Sequence, residues 1–251
     1  MVRTLRAAGC VFAEDEARLL LAAAGSPGEL AAMVERRVAG LPLEHVVGWA
    51  EFCGLRITLD PGVFVPRRRT EFLVAQAIAL CGPRPVVLDL CCGSGAVGAA
   101  LAAARDGAEL HAADLDPAAV RCARRNVAAA GGRVYEGDLF DPLPADLRGR
   151  VDLLAANVPY VPSGSVGLLP SEARDHEALI ALDGGPDGLD VLRRVAAEAS
   201  HWLAPGGSLL SETSERQADD ALEILRAAGL TARLATDDEL YATVIVGTGP
   251  A

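Results

Sequence analysis

The sequence predicts an open α/β fold with a mostly parallel sheet. Three observations carry this. From residue 85 onward, short apolar runs alternate with longer helical patterns, the order that gives parallel strands covered by helices. A glycine-rich turn at 93–98 sits between the first such strand and its helix. The last two runs are joined by a short polar turn at 236–239, which predicts an antiparallel ending.

Residues 14–40 read as helix, because Leu19, Leu20, Ala23, Leu30, Met33, Val34 and Val38 recur near 3.6 spacing. Gly25-Ser26-Pro27-Gly28 breaks that pattern. Between Pro42 and Pro61 the chain alternates apolar and polar residues before the turn signal Asp60-Pro61-Gly62, which predicts a β-hairpin. Arg67-Arg68-Arg69 follows at a helix start, where cations oppose the helix dipole, and this invites a binding role. Strands are then expected at 86–91, 109–114, 133–136, 151–156, 207–212, 230–235 and 241–246. Helices are expected at 96–104, 117–130, 188–203 and 215–228. Pro117 lies in a first turn, where proline is tolerated, and Gly229 closes the last helix. The expected division is a helical unit over 1–48, a hairpin linker over 49–64 and the sheet domain over 65–251.

With 51% hydrophobic residues, the chain can bury a sizeable core. No apolar run approaches the ~18 residues of a membrane span. Acidic residues follow the basic start closely, so no signal peptide is expected and the expected location is cytoplasmic. The six cysteines form no C-x-x-C pair, and no histidines stand at zinc spacing, so neither disulfides nor a metal is expected. A net charge of −11 argues against general nucleic-acid binding. Arginine supplies every basic side chain besides histidine, since lysine is absent.

Gly93-Ser94-Gly95-Ala96-Val97-Gly98 matches G-x-G-x-x-G, whose default reading is a dinucleotide site. Three acids point elsewhere. Asp89 comes just before the glycine turn, where its carboxylate would repel a pyrophosphate but suit a cofactor bearing an ammonium and a sulfonium. Asp114 ends the next strand and is placed to accept both hydroxyls of a ribose, while Asp116 suits a helix cap. Asp138 follows the third strand, placed for an adenine amino group, with Leu139 against the ring. Acids at successive strand ends line one crevice, the usual ligand position in such sheets. Together they favour S-adenosylmethionine over NAD.

Asn157-Val158-Pro159-Tyr160 follows the strand 151–156. An sp² nitrogen is a poor nucleophile because its lone pair is delocalised. Acceptors out of the amide plane, Asn157 Oδ1 and the Val158 carbonyl, would localise that pair, and Tyr160 would stack on the flat group. Catalysis would be mostly positioning and desolvation.

These stretches resemble the HemK/PrmC family of protein-glutamine N5-methyltransferases along almost the whole chain. The resemblance rests on 40–48, Phe64-Val65-Pro66-Arg67, 87–95, Gly137-Asp138-Leu139-Phe140, 157–162, His176-Glu177, 184–190 and 203–207. The tetrapeptide alone is shared with amino-methyltransferases of nucleic acids. His176-Glu177 and Gly184-Gly185-Pro186-Asp187-Gly188-Leu189-Asp190 are more specific to the glutamine family. The resemblance implies a class I methyltransferase, Rossmann-like, with a seven-stranded sheet behind an N-terminal helical domain and a hairpin. It adds Cys91 and Leu115 to the cofactor residues Asp89, Gly93, Ser94, Gly95, Asp114, Asp138, Leu139 and Asn157. It gives Asn157, Val158, Pro159 and Tyr160 the catalytic role. Pro66, Arg67, His176 and Glu177 join Asn157 and Tyr160 on the substrate side. The implied product of the cofactor is S-adenosylhomocysteine. The implied partner is a protein bearing the target glutamine, either a release factor with its Gly-Gly-Gln motif or a ribosomal protein.

The chain departs from the family at four places. Val158 replaces a proline, which keeps the carbonyl and gives up a fixed φ. Arg68-Arg69 replaces Pro-Glu, Ala178 replaces the proline after His-Glu, and the helical part is short. These departures suggest a divergent branch with its own acceptor. The alternative readings are an adenine-N6-type nucleic-acid methyltransferase and a non-catalytic interaction module on the same fold.

Overall fold

A computed structural model describes all residues 1–251. Helices α1 (Val2–Ala7), α2 (Ala13–Ala23), α3 (Pro27–Val38) and α4 (Leu43–Val47) form the N-terminal segment. They enclose their own small core around Leu5, Leu20, Met33 and Val46. The Ser26 side chain caps α3 by accepting the Glu29 N–H at 3.2 Å, and Glu29 returns an acceptor to Gly25 N–H at 2.8 Å. The hairpin strands β1 (Trp49–Phe52) and β2 (Leu55–Thr58) follow. Phe52 and Ile57 insert into the main core, so the hairpin is part of the sheet domain's packing.

The main sheet contains β3 (Val86–Leu90), β4 (Glu109–Asp114), β5 (Arg133–Glu136), β6 (Val151–Ala156), β7 (Leu203–Glu212), β8 (Thr231–Asp237) and β9 (Ala242–Thr248). Its order is β5-β4-β3-β6-β7-β9-β8. All neighbours are parallel except those of β9, which runs antiparallel to both β7 and β8. The terminal hairpin thus inserts its second strand next to β7. The reversal of strand order between β3 and β6 opens a crevice at their carboxyl ends.

One face is covered by α5 (Glu71–Leu80), α6 (Ala96–Ala104) and α7 (Pro117–Val127), the other by α9 (Asp190–Trp202) and α10 (Ala218–Ala227). In α7 the buried residues Ala119, Val120, Cys122, Ala123 and Val127 form a single stripe. Asp116 caps that helix by accepting the Ala118 N–H at 2.8 Å, the role its position suggested. The long connection after β6 carries short helical turns and α8 (Ser171–His176), where the sequence pattern reads as loop. All six cysteines are free thiols. No helix is long and apolar enough to cross a membrane.

Candidate active site

A cavity of about 890 Å³ opens at the carboxyl ends of the central strands. Its lining joins the glycine turn, the tetrapeptide and the segment between the hairpin and α5.

One half is built by acids. Asp89, one residue before the end of β3, is almost fully buried, at 1% exposure. Its Oδ2 accepts the Gly98 N–H at 2.8 Å. Glycine eases that approach, because a Cβ at 98 would stand 3.0 Å from the same oxygen, a tight contact. Burial pushes the Asp89 carboxyl up to about 7; the Gly98 N–H opposes the shift and the Asp114 charge adds to it. A buried carboxyl held at such a value lacks a cationic partner, and an ammonium group would supply one. Asp114 accepts Gly93 N–H at 2.8 Å through Oδ2 and Asp116 N–H at 2.9 Å through Oδ1. Those two bonds fix its orientation and leave lone pairs on both oxygens for a diol. Leu115, half exposed, and Leu139, buried, both line the cavity, as do Cys91, Gly93 and Ser94. Gly95 turns instead against Ala123 and Val127. Burial, with the Asp114, Asp89 and Asp138 charges, raises the Cys91 thiol, which stays protonated.

Asp138 lines the cavity but is also engaged by a residue the sequence did not single out. Its Oδ2 accepts Arg194 Nη2 at 2.7 Å, from α9. An adenine amino group would share this carboxylate with a guanidinium.

The other half is built by the tetrapeptide. Asn157 follows β6 directly, and its Oδ1 is buried with no hydrogen-bond partner. Val158 is 2% exposed, packs in the main core and also lines the cavity. Its carbonyl takes no part in the backbone hydrogen bonds of the surrounding loop. The Tyr160 carbonyl accepts Gln217 Nε2 at 2.9 Å, and the same amide donates to Asp187 O at 2.8 Å. Gly188 lies so close that a Cβ there would meet Tyr160 O at 2.3 Å, with φ at +79°. The Gly-Gly-Pro-Asp-Gly stretch therefore supports the tetrapeptide from behind.

Pro66 and Arg67 line the cavity. Arg67 Nη2 reaches both Glu177 oxygens, at 2.7 and 2.6 Å, and Val65 N–H donates to Glu177 Oε1 at 3.1 Å. His176 and Glu177 do not line the cavity. Glu177 is buried in this ion pair, and His176 faces the N-terminal segment near Gly40. Their placement is that of a wall support, and the adjoining Ala178 reaches the cavity instead. Arg69 and Glu212 also line it. Glu212 carries the same sequence signal as Asp114, an acid at the carboxyl end of a parallel strand.

The methyltransferase small domain family matches residues 54–167. The chain is 38% identical over 209 residues to the release factor glutamine methyltransferase of Geobacter sulfurreducens, covering 81% of this chain and 72% of that protein. It is 39% identical over 203 residues to the 4-amino-L-phenylalanine/4-methylamino-L-phenylalanine methyltransferase of Streptomyces pristinaespiralis, covering 78% and 69%. A solved methyltransferase from Pyrococcus furiosus shares the fold, with a TM-score of 0.60 at 16% identity over 88% of this chain and 98% of that one. The chain belongs to the release factor glutamine methyltransferase family.

Proposed function

We propose that the chain methylates the side-chain amide nitrogen of a glutamine in a protein, with a release factor as the acceptor and S-adenosylmethionine as the donor. The observation that carries this is the buried, unpartnered Asn157 Oδ1 at the end of the central strand. A buried acceptor left unpaired costs about 1–3 kcal/mol, so a fold that keeps one provides for a donor arriving from outside. The N–H groups of a primary amide are such donors.

S-adenosylmethionine supplies a methyl group on a sulfonium. Asp89 would pair with its ammonium, Asp114 with its ribose hydroxyls, and Leu115 and Leu139 would flank its purine. Asn157 Oδ1 and the Val158 carbonyl would accept the two amide N–H groups and so localise the nitrogen lone pair. Tyr160 would present its ring to the flat amide. Proline is not required at 158 for this, because the accepting atom belongs to the backbone.

The helical unit 1–48, linked by 49–64 to the body 65–251, is joined to the acceptor wall. Arg37 of α3 donates to Glu172 Oε1 at 2.6 Å, and Glu172 lines the cavity. We assign this unit to acceptor docking.

The test is incubation with labelled S-adenosylmethionine and a purified release factor, followed by mass spectrometry of the Gly-Gly-Gln peptide. One added methyl on the glutamine supports the assignment. Label found only in nuclease-sensitive material would replace it with the nucleic-acid reading. Label found only on an aryl amine would replace it with the chemistry named for the Streptomyces pristinaespiralis relative. No binding of S-adenosylmethionine by calorimetry would favour the non-catalytic module.

A further inference from the structure

Arg69 lies in the 3-10 turn (Arg68–Thr70) that enters α5, where a cation opposes the helix dipole. Its partners account for it. Nε donates to Glu212 Oε1 at 2.6 Å, and Nη2 donates to the Tyr160 hydroxyl at 2.6 Å. That hydroxyl donates in turn to the same Glu212 Oε1 at 2.7 Å. Thr70 Oγ1 donates to Glu212 Oε2 at 2.7 Å. Guanidinium, phenol and carboxylate close a three-membered ring within the wall of the cavity. Glu212 is 3% exposed and Arg69 44%, so the pair is buried on the carboxylate side and open on the other.

Two consequences follow from this ring. Both Glu212 oxygens are engaged by donors, so the carboxylate anchors the ring. The Tyr160 hydroxyl is committed both as donor and as acceptor, which holds the hydroxyl end of its ring in place. Burial pushes the phenol's pKa up, and the Glu212 charge adds to that while Arg69 opposes it, so the phenol stays protonated.

We infer that Arg69 is a positioning residue that sets the Tyr160 ring for the acceptor by forking between the Tyr160 hydroxyl and Glu212. This rests on the reading of Asn157 to Tyr160 as the acceptor clamp. The guanidinium is needed for its shape as well as its charge. A lysine ammonium can neutralise Glu212, but it has no rigid fork to hold two oxygens at once. Neither neighbour can substitute. Arg67 is spent on Glu177, and Arg68 is exposed and off the cavity.

The experiment compares Arg69→Gln, Arg69→Lys and Arg68→Gln with the unaltered protein. Melting temperature is followed from about pH 5 to about pH 8, together with calorimetric S-adenosylmethionine affinity and steady-state kinetics on a purified release factor. In R69Q the buried Glu212 loses its countercharge. The melting deficit against the unaltered protein is therefore smallest at acid pH and widens as pH rises. The acceptor KM rises about tenfold or more, while the cofactor Kd stays within about twofold. R69K removes the widening of the deficit but leaves the acceptor KM raised, and R68Q matches the unaltered protein throughout. A deficit in R69Q that is flat with pH, an unchanged acceptor KM, or a KM restored by R69K would each overturn the inference. Should the unaltered protein transfer no methyl to the release factor, the acceptor reading falls. The melting profiles still decide the Arg69–Glu212 pairing, and a flat deficit overturns it.

Discussion

Ser211 donates a 2.6 Å hydrogen bond from its hydroxyl to the Ala156 carbonyl, the last peptide before Asn157. Ser211 is fully buried on β7, which pairs with β6 through Ala155 and Leu210. The bond ties the exit of β6 to its neighbour just beyond the point where the strand pairing ends. We expect Ser211→Ala to cost about 1–3 kcal/mol, the penalty for a buried carbonyl left short of a donor. It should also lower kcat while leaving S-adenosylmethionine affinity near its original value. Thermal denaturation with steady-state kinetics checks this, and a lowered melting point with unchanged kcat would restrict the bond to stability.

Asn157→Ala removes the unpartnered acceptor without touching Asp89 or Asp114. Loss of one preorganised polar group at a reacting centre costs about 10²–10³ in turnover in comparable sites. Turnover on the acceptor should fall by that order, with cofactor binding retained. Near-normal turnover would remove Asn157 from the clamp.

Gly188→Ala places a methyl group 2.3 Å from Tyr160 O and 2.4 Å from Gln217 Nε2, at a φ of +79°. Backbone cannot give way as a flexible side chain can, so the tetrapeptide must shift. The left-handed φ adds about 1–2 kcal/mol for a residue with a Cβ. A fall in kcat is expected beyond what the stability loss explains, measured well below the variant's melting temperature.

The strands were legible because each is a short apolar run bounded by turn residues, and the acids because Asp114 ends such a run and Asp89 interrupts one just before the glycine turn. Helices α1, α4 and α8 were not, since five or six residues complete fewer than two turns and show no period. The pairing of Arg67 with Glu177 spans 110 residues, so neither member advertises the other. Glu177 therefore read as a substrate contact while its chemistry is that of a buried brace. The arginine run reads from the sequence as out of place against the helix dipole. Only the fold shows that two of its three members answer buried carboxylates on different walls.

Asp89 sets an expected pH dependence. Its carboxyl is raised from 3.8 to about 7, first by burial. Because the folded value lies above the unfolded one, the unliganded protein loses stability from this group as pH rises between those values. A cationic ligand prefers the carboxylate, so its affinity is full above about pH 7 and falls below it, by at most about tenfold per pH unit. Calorimetry with S-adenosylmethionine across that range, in buffers of different ionisation heat, should show proton release on binding at the acid end. Asp89→Asn should bind weakly and without this slope; an unchanged slope would assign the titration to another group.

The coupling of the helical unit to the acceptor wall gives the last prediction. Arg37, 9% exposed, donates to Glu16 through Nε at 2.6 Å and Nη2 at 3.1 Å, and through Nη1 to Leu41 O at 3.0 Å and Glu172 Oε1 at 2.6 Å. Glu16 is buried at 8% exposure, whereas the Glu172 side chain is 46% exposed. Arg37→Ala strands the buried Glu16 charge, so a loss of about 3–5 kcal/mol is expected. Glu172→Gln keeps the Arg37–Glu16 pair and removes only a partly solvated one, which costs under about 1 kcal/mol. The two variants therefore separate stability from docking. Glu172→Gln should keep its melting temperature and cofactor affinity while the acceptor KM rises, because the link between α3 and the cavity-lining α8 is loosened. If KM is unchanged in Glu172→Gln, the helical unit does not act on the acceptor through Arg37, and its contact with α8 serves packing alone.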